Sequence, residues 1–342
     1  MTDPQTLHDD AVVVDCHNDF ILVVARRHAM GQTDHFGDYW LPEFRRGGVN
    51  VQVVPIYLDD EYRPEGALRR TLLLIEHLHR IVQQHPSEVA LCLSASDIDE
   101  AVSAGKIAFV LALEGMEQIG KDVALIETFH RLGVRMMSFT HFGRTALGDG
   151  SAEDDAGSRL TRAGVEAVYE MDRLGIVIDV SHLGIGGTDH VLEIARGPVI
   201  ASHSGVRELC DHHRNLRDDV IRKLAAQGGV MGINAFPWFI DRKDPTLDRF
   251  VDHIEYVRDL VGIEHVGIGP DFIREYCDEF FSNYTDYTEE GLPMNAWIEG
   301  LAYARDLPNL TAKMVERGLP DDDVRRVLGG NFLRVFRQLL TG

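Results

Sequence analysis

Apolar, β-branched runs recur along the chain at about 11–15, 49–55, 107–113, 134–140, 176–180, 198–202, 229–234 and 265–269. Between most of them, apolar positions return every three or four residues, as on one face of a helix, over 67–84, 121–132, 161–174, 187–196, 217–227 and 246–260. The runs IAFVLAL, GIVIDV and GPVIAS are almost continuously apolar, as expected of strands covered on both faces. Eight strands alternating with helices predict an α/β fold: a (β/α)8 TIM-type barrel with C-terminal closing helices, built as one domain over 1–342. Gly133, Gly175, Gly197, Gly229 and Gly262 stand just ahead of five later strands, where a glycine can end the preceding helix. From about 293 the pattern reads as two or three closing helices, one of them started by Pro320-Asp321-Asp322-Asp323. Residues 273–292 are acidic and aromatic, with Phe280, Phe281, Tyr284 and Tyr287, and read equally as a lid over the barrel mouth or as a surface excursion.

Barrels of this kind carry their chemistry at the C-terminal ends of the strands. His17 and Asp19 follow the first run, Glu114 the third, His141 the fourth, His182 the fifth, His203 the sixth and Asp271 the eighth. One such residue is commonly a cap or a core hydrogen-bonder; seven along one rim form a site. Three imidazoles and two carboxylates (His17, Asp19, Glu114, His182, His203) suit Zn²⁺ or a related divalent ion and are too rich in nitrogen for Mg²⁺ or Ca²⁺. Five ligands exceed the three usual for one catalytic zinc, so two Zn²⁺ ions per chain are expected, with Mn²⁺ or Co²⁺ as alternatives. Glu114 can bridge the pair, leaving His17 and Asp19 on one ion and His182 and His203 on the other. Two ions would lower the pKa of a bridging water and clamp a hydrolytic transition state. Asp271 is then left to move the proton.

Eight motifs carry a resemblance to the membrane (renal) dipeptidase family: DCHND at 15–19, LEG at 113–115, SFTH at 138–141, IDVSH at 178–182, ASHS at 201–204, HRNLRDD at 213–219, GIGPDF at 267–272 and GGNFLRVF at 329–336. The resemblance implies a zinc barrel that hydrolyses dipeptides through a metal-bridging hydroxide, often with a D-residue at the C-terminal position. It implies that His141 steadies the oxyanion, that Arg214 holds the substrate carboxylate and that Asp271 shuttles the proton. Arg214 also has a reason of its own, because a guanidinium fork grips a carboxylate with two hydrogen bonds. The chain departs from the family at three places. Phe20-Ile21 stands where a Pro usually follows, Ile273-Arg274 replaces Asp-Gly after Asp271-Phe272, and Phe236 replaces a substrate-binding tyrosine, a loss of about 1 kcal/mol of polar contact.

Lys and Arg number 34 against 55 Asp and Glu, a net charge of −21, which argues against nucleic acid or an anionic membrane as partner. No basic leader or bilayer-length apolar run is present in the sequence, and Cys16, Cys92, Cys210 and Cys277 form no CxxC pair, so free thiols and a cytoplasmic location are expected. A small peptide is the expected partner, and a homodimer the base-rate assembly. His77, His79, His212 and His213 read as solvated, Gly184–Gly187 as a flexible loop without the Lys-Ser/Thr of a phosphate-binding loop, and Asp149–Asp155 as a solvent-facing turn. Ser181, Ser202 and Ser204 flank histidines but lie in no G-x-S-x-G elbow. A carbamylated-lysine hydrolase lacks its lysine here. The reading is a metallo-dipeptidase; the alternatives are the same barrel acting on an N-acyl amino acid, another amide or a lactone, or a non-catalytic metal-binding barrel.

Overall fold

The computed structural model describes residues 2–280, 288–289, 292–293 and 295–341. The segment 273–292, read equally as a lid or a surface excursion, is described at 273–280, where it forms the helix Arg274–Phe280, and at 288–289 and 292; the rest of it lies outside the described residues. Nine strands form the main sheet: β1 Val13–Asp15, β2 Val49–Ile56, β3 Val89–Leu91, β4 Ile107–Leu113, β5 Val134–Ser138, β6 Val177–Asp179, β7 Ile200–Ser204, β8 Val230–Ile233 and β9 Val266–Ile268. Eight of them follow the parallel path β1-β2-β4-β5-β6-β7-β8-β9, and these are the eight predicted runs. β3 pairs with β4 outside that path. It is three residues long and only its first residue is fully buried, too little pattern to read as a strand.

The path nearly closes. At the seam between β1 and β9, the Cys16 amide donates to the Ile268 carbonyl at 3.2 Å, and above it the Asp271 amide donates to the His17 carbonyl at 3.0 Å. Below the seam lie the closing helices Leu307–Glu316, Asp321–Arg325 and Asn331–Leu339. The buried Asn331 amide donates to the Ile263 and Val266 carbonyls, each at 2.7 Å, which satisfies backbone at the start of β9. The chain passes so close that a Cβ on Gly329 would lie 2.2 Å from the Val12 carbonyl oxygen.

All six predicted helices form, as Ala67–Gln84, Leu125–Arg131, Arg162–Leu174, Ile185–Ile194, Asp218–Ala226 and Leu247–Val261. Thr161 and Thr246 cap two of them, each accepting a hydrogen bond from the amide three residues on. The helix Phe20–Ala29 escaped the periodicity because Phe20 through Ala25 are all buried, so no polar face marks its first turns. Gly175 and Gly262 end helices with positive φ, as expected, and Gly133 also has positive φ. Gly197 and Gly229 do not: Gly228 takes the left-handed turn (φ 77°), and Gly229 instead lies against the chain just before β7, where a Cβ would be 2.1 Å from the Val199 carbonyl oxygen.

Among the described residues, no helix is long and apolar enough to cross a membrane.

Candidate active site

The loop after β1 aims two side chains into the barrel mouth. Asp15 accepts from the His17 amide at 3.1 Å and from the Asn18 side chain at 3.3 Å. Asn18 in turn accepts from the Phe20 amide, so it caps the following helix. Asp19 occupies the N-cap position itself yet makes no capping bond, and its buried Oδ1 has no hydrogen-bond partner. Its carboxylate is left for the site.

Glu114, just past β4, lies at the centre. Its Oε2 is 3.4 Å from His17 Nε2, while its Oε1 is 2.9 Å from His182 Nε2 and 3.5 Å from His203 Nε2. The His17 and His203 rings stack at 3.6 Å. Burial opposes ionisation of Glu114, but the facing His17, His182 and His203 overcome it and hold the carboxyl well below its usual range. Burial also disfavours a charged His17, yet Glu114, Asp271 and Asp19 push its pKa up to about 10. These buried carboxylates demand positive charge, and a proton on His17 meets that demand when no cation does.

Among the described residues, two non-glycine positions have left-handed φ: His182 (68°) and Asp271 (62°). Such backbone is costly and is kept where neighbours hold it. The His182 carbonyl accepts from the Ser151 amide at 2.7 Å and the Thr140 hydroxyl at 3.2 Å, and Asp271 is held through its bond to His17. Asp271 Oδ1 lies 3.8 Å from His17 Nε2, and Oδ2 accepts from the Asn234 side chain at 2.9 Å. Burial, reinforced by Glu114, raises the Asp271 pKa against the pull of His17, Asn234 and Arg214.

Arg214 is buried. Its guanidinium donates to the His203 carbonyl at 2.7 Å and to Ser204 Oγ at 3.2 Å, and its Nε has no hydrogen-bond partner. Burial lowers its pKa to about 10, so it stays cationic at neutral pH. The His141 ring packs at 4.3 Å from that of His182 and 4.7 Å from that of Tyr57. Burial is the main influence on it; with Arg63 and Arg214 it outweighs the opposing Glu114 and lowers the His141 pKa to about 3, so the ring is neutral.

The donor set fits divalent metal. Three triads of ligand atoms lie within 4.8 Å of one another: His17, Glu114 and His203; Glu114, His141 and His182; and His17, Asp19 and Asp271. They overlap at Glu114 and His17. Buried His17 Nε2, Asp19 Oδ1 and Glu114 Oε2 all lack hydrogen-bond partners, which points to a cation as the missing partner. All eight residues singled out in the sequence converge here.

Other readings needed correction. His212 is buried and its Nδ1 accepts from the Arg214 amide at 3.1 Å, while His77, His79 and His213 are half-buried rather than solvated. Gly184 is the N-cap of the helix Ile185–Ile194, not part of a loose loop. Asp149 is buried against Arg144, and Asp154 accepts from the Ile185 amide, so the acidic turn faces partly inward. Arg274 turns to Asp278 and the Tyr303 ring. Phe236 packs among Trp238, Phe239 and Trp297. Sequence reading missed Asn234, Asp179 and the role of Ser202. Asp179 and Ser202 stood inside the IDVSH and ASHS motifs without a role assigned to them, and Asn234 was marked only by its place after a strand end.

The family model described as membrane dipeptidase (peptidase family M19) matches residues 1–341. Dipeptidase verJ of Clonostachys rogersoniana is 33% identical over 270 residues, 79% of this chain and 65% of that protein, so the match spans just under two thirds of that relative. Dipeptidase aclJ of Aspergillus oryzae is 31% identical over 343 residues, 94% of this chain and 77% of that protein. A metallo peptidase from Rhodobacter sphaeroides, solved with a phosphinate mimic of the dipeptide L-Ala-D-Ala, superposes with a TM-score of 0.84 at 25% identity, covering 96% of this chain and 100% of that one.

Proposed function

The chain belongs to the membrane dipeptidase family of peptide-bond hydrolases, and on that premise we propose that it is a binuclear zinc dipeptidase that accepts a D-residue at the C-terminal position of its substrate. One observation carries the reading: the two oxygens of Glu114 meet different imidazoles, Oε2 nearest His17 and Oε1 nearest His182 and His203. That is the arrangement a bridging carboxylate needs. His17 and Asp19 would hold one ion and His182 and His203 the other. Two zinc ions there would supply a bridging hydroxide at neutral pH and polarise the scissile carbonyl.

The protein's own groups do the rest. Arg214, cationic and with an unpaired Nε, would bind the free carboxylate of the dipeptide and fix its register. His141, neutral and at the rim, would donate a ring N–H to the carbonyl oxygen as negative charge grows on it. Asp271, whose raised pKa suits a proton carrier, would take the nucleophile's proton and pass it to the leaving nitrogen. Acceptance of a D-residue is supported by the L-Ala-D-Ala mimic bound to the Rhodobacter sphaeroides relative. We also infer a reducing, cytoplasmic compartment, supported by four buried, unpaired thiols.

The test is amine release from L-Xaa-L-Xaa and L-Xaa-D-Xaa dipeptides by zinc-reconstituted protein, beside N-acetylated and C-amidated controls. Cleavage restricted to unblocked dipeptides is expected. Cleavage of N-acetylated substrates at equal rates would move the function to N-acyl amino acids, and no turnover with zinc bound would end the dipeptidase reading.

A further inference from the structure

A chain of buried polar groups lies behind His203, on the side away from Glu114. Ser202 Oγ is 2.7 Å from His203 Nδ1 and donates to Asp179 Oδ2 at 2.6 Å. Asp179 Oδ1 accepts from two backbone amides, those of Ser181 and Ser202, each at 2.9 Å. Ser181 Oγ accepts from the His203 amide at 3.1 Å. Asp179, Ser181, Ser202 and His203 are all essentially closed to solvent.

The direction of each bond follows from counting protons. An ionised carboxylate only accepts, and two amides already commit Asp179 Oδ1 to that role. The single Ser202 hydroxyl proton is drawn to Asp179 Oδ2 at 2.6 Å, the shortest and charge-assisted contact, rather than to Ser181 Oγ at 3.2 Å. Ser202 Oγ therefore faces His203 Nδ1 with a lone pair, and Nδ1 must carry the ring proton. Nε2 is left bare, 2.9 Å from His182 Nε2 and 3.5 Å from Glu114 Oε1. His182 has no such support, since its Nδ1 is buried without a partner.

We infer that Asp179 and Ser202 are positioning residues: they fix the tautomer and orientation of His203, so that its Nε2 offers a lone pair to a divalent cation. The inference rests on reading His203 as a metal ligand. The same strand extends the effect to the substrate end of the site. The His203 carbonyl and Ser204 hydroxyl both accept from Arg214, so β7 sets the metal donor and the carboxylate clamp in one register.

The test uses the full chain and two readouts besides activity: zinc affinity by chelator competition, and the His203 ring N–H in ¹⁵N-correlated NMR. Ser202→Ala removes the acceptor and should weaken zinc uptake by about 10- to 100-fold, the usual effect of losing a ligand's outer hydrogen bond. Ser202→Thr keeps the hydroxyl and should restore affinity to near the native value. Asp179→Asn makes the sharpest prediction. Its amide oxygen stays with the two backbone N–H groups, and its NH₂ donates to Ser202. The Ser202 proton then turns to the nearer of its two remaining partners, His203 Nδ1 at 2.7 Å rather than Ser181 Oγ at 3.2 Å, and forces the ring proton onto Nε2, so zinc binding should fall below that of Ser202→Ala. A merely structural loss would not rank the variants in this order. Native zinc affinity in Asp179→Asn, or an Nε2 proton on His203 in the metal-depleted native chain, would overturn the inference. The native spectrum decides even where a variant does not fold. Failure to cleave dipeptides would undo the substrate reading and leave both readouts intact.

Discussion

Single side chains in this site do opposite things with similar chemistry. Asp19 and Asp271 are both aspartates near His17, but their surroundings differ. Asp19 declines the capping bond its position offers and keeps a bare oxygen in the interior. Asp271 is tethered by Asn234 and held in left-handed backbone, with its pKa raised by burial and Glu114. Asp271→Asn should retain the native zinc content and lose about 100- to 10,000-fold in kcat, the range for removing a general acid–base. Asn234→Ala should lose less, about tenfold, because it removes one charge-assisted hydrogen bond of about 1.5 kcal/mol and leaves the carboxyl in place. Steady-state kinetics beside metal analysis would check both, and unchanged kcat in Asp271→Asn would remove Asp271 from the mechanism. The motif residues were legible in the chain because metal and proton chemistry demand particular residue types. Asn234, Asp179 and Ser202 were not legible: amides, carboxylates and hydroxyls beside a histidine are common, and only geometry shows which atom each one meets.

At the scale of elements, a buried histidine pins two active-site loops to a helix. His253, on the helix Leu247–Val261, accepts from the Val206 amide after β7 at 2.9 Å and donates to the Ile240 carbonyl after β8 at 3.0 Å. Only the neutral ring can do both. Burial, against the pull of the Ile240 carbonyl, lowers its pKa from 6.5 to about 4. The unfolded chain therefore binds this proton more readily than the folded one. The stability that His253 contributes is fully present above pH 6.5 and is lost as pH falls toward 4, a change of roughly 3 kcal/mol. Urea unfolding of the native protein and His253→Gln should show a gap that is widest near pH 7.5 and closes on acidification. A gap that does not change with pH would contradict the neutral ring. The same scale shows how periodicity succeeds and fails. Helices with one wet face were read within a few residues, whereas Phe20–Ala29 was hidden by a first half buried on all sides and β3 by its length of three residues.

For the whole molecule, the barrel gathers side chains more than 250 residues apart in sequence around a few buried oxygens and nitrogens, with Asp19 and Asp271 at 3.9 and 3.8 Å from the same His17 nitrogen, Nε2. Cations bound there would stabilise the fold as a whole, because the unfolded chain cannot assemble the donors. Zinc at a hundredfold excess over its Kd should raise the unfolding free energy by about 2.7 kcal/mol, and chelation should lower Tm correspondingly. A melting temperature indifferent to zinc and chelator would argue against metal at this centre. The sequence by itself determined the order of strands and helices, and with it the rim on which the reactive residues lie, because alternation and residue type are local properties of the chain. Tertiary structure alone decided which oxygen of Glu114 faces which imidazole, that Asp19 stays uncapped, and which proton His203 carries. Those outcomes depend on where separate strands converge, and ångström distances and hydrogen-bond directions between them exist only once the barrel has closed.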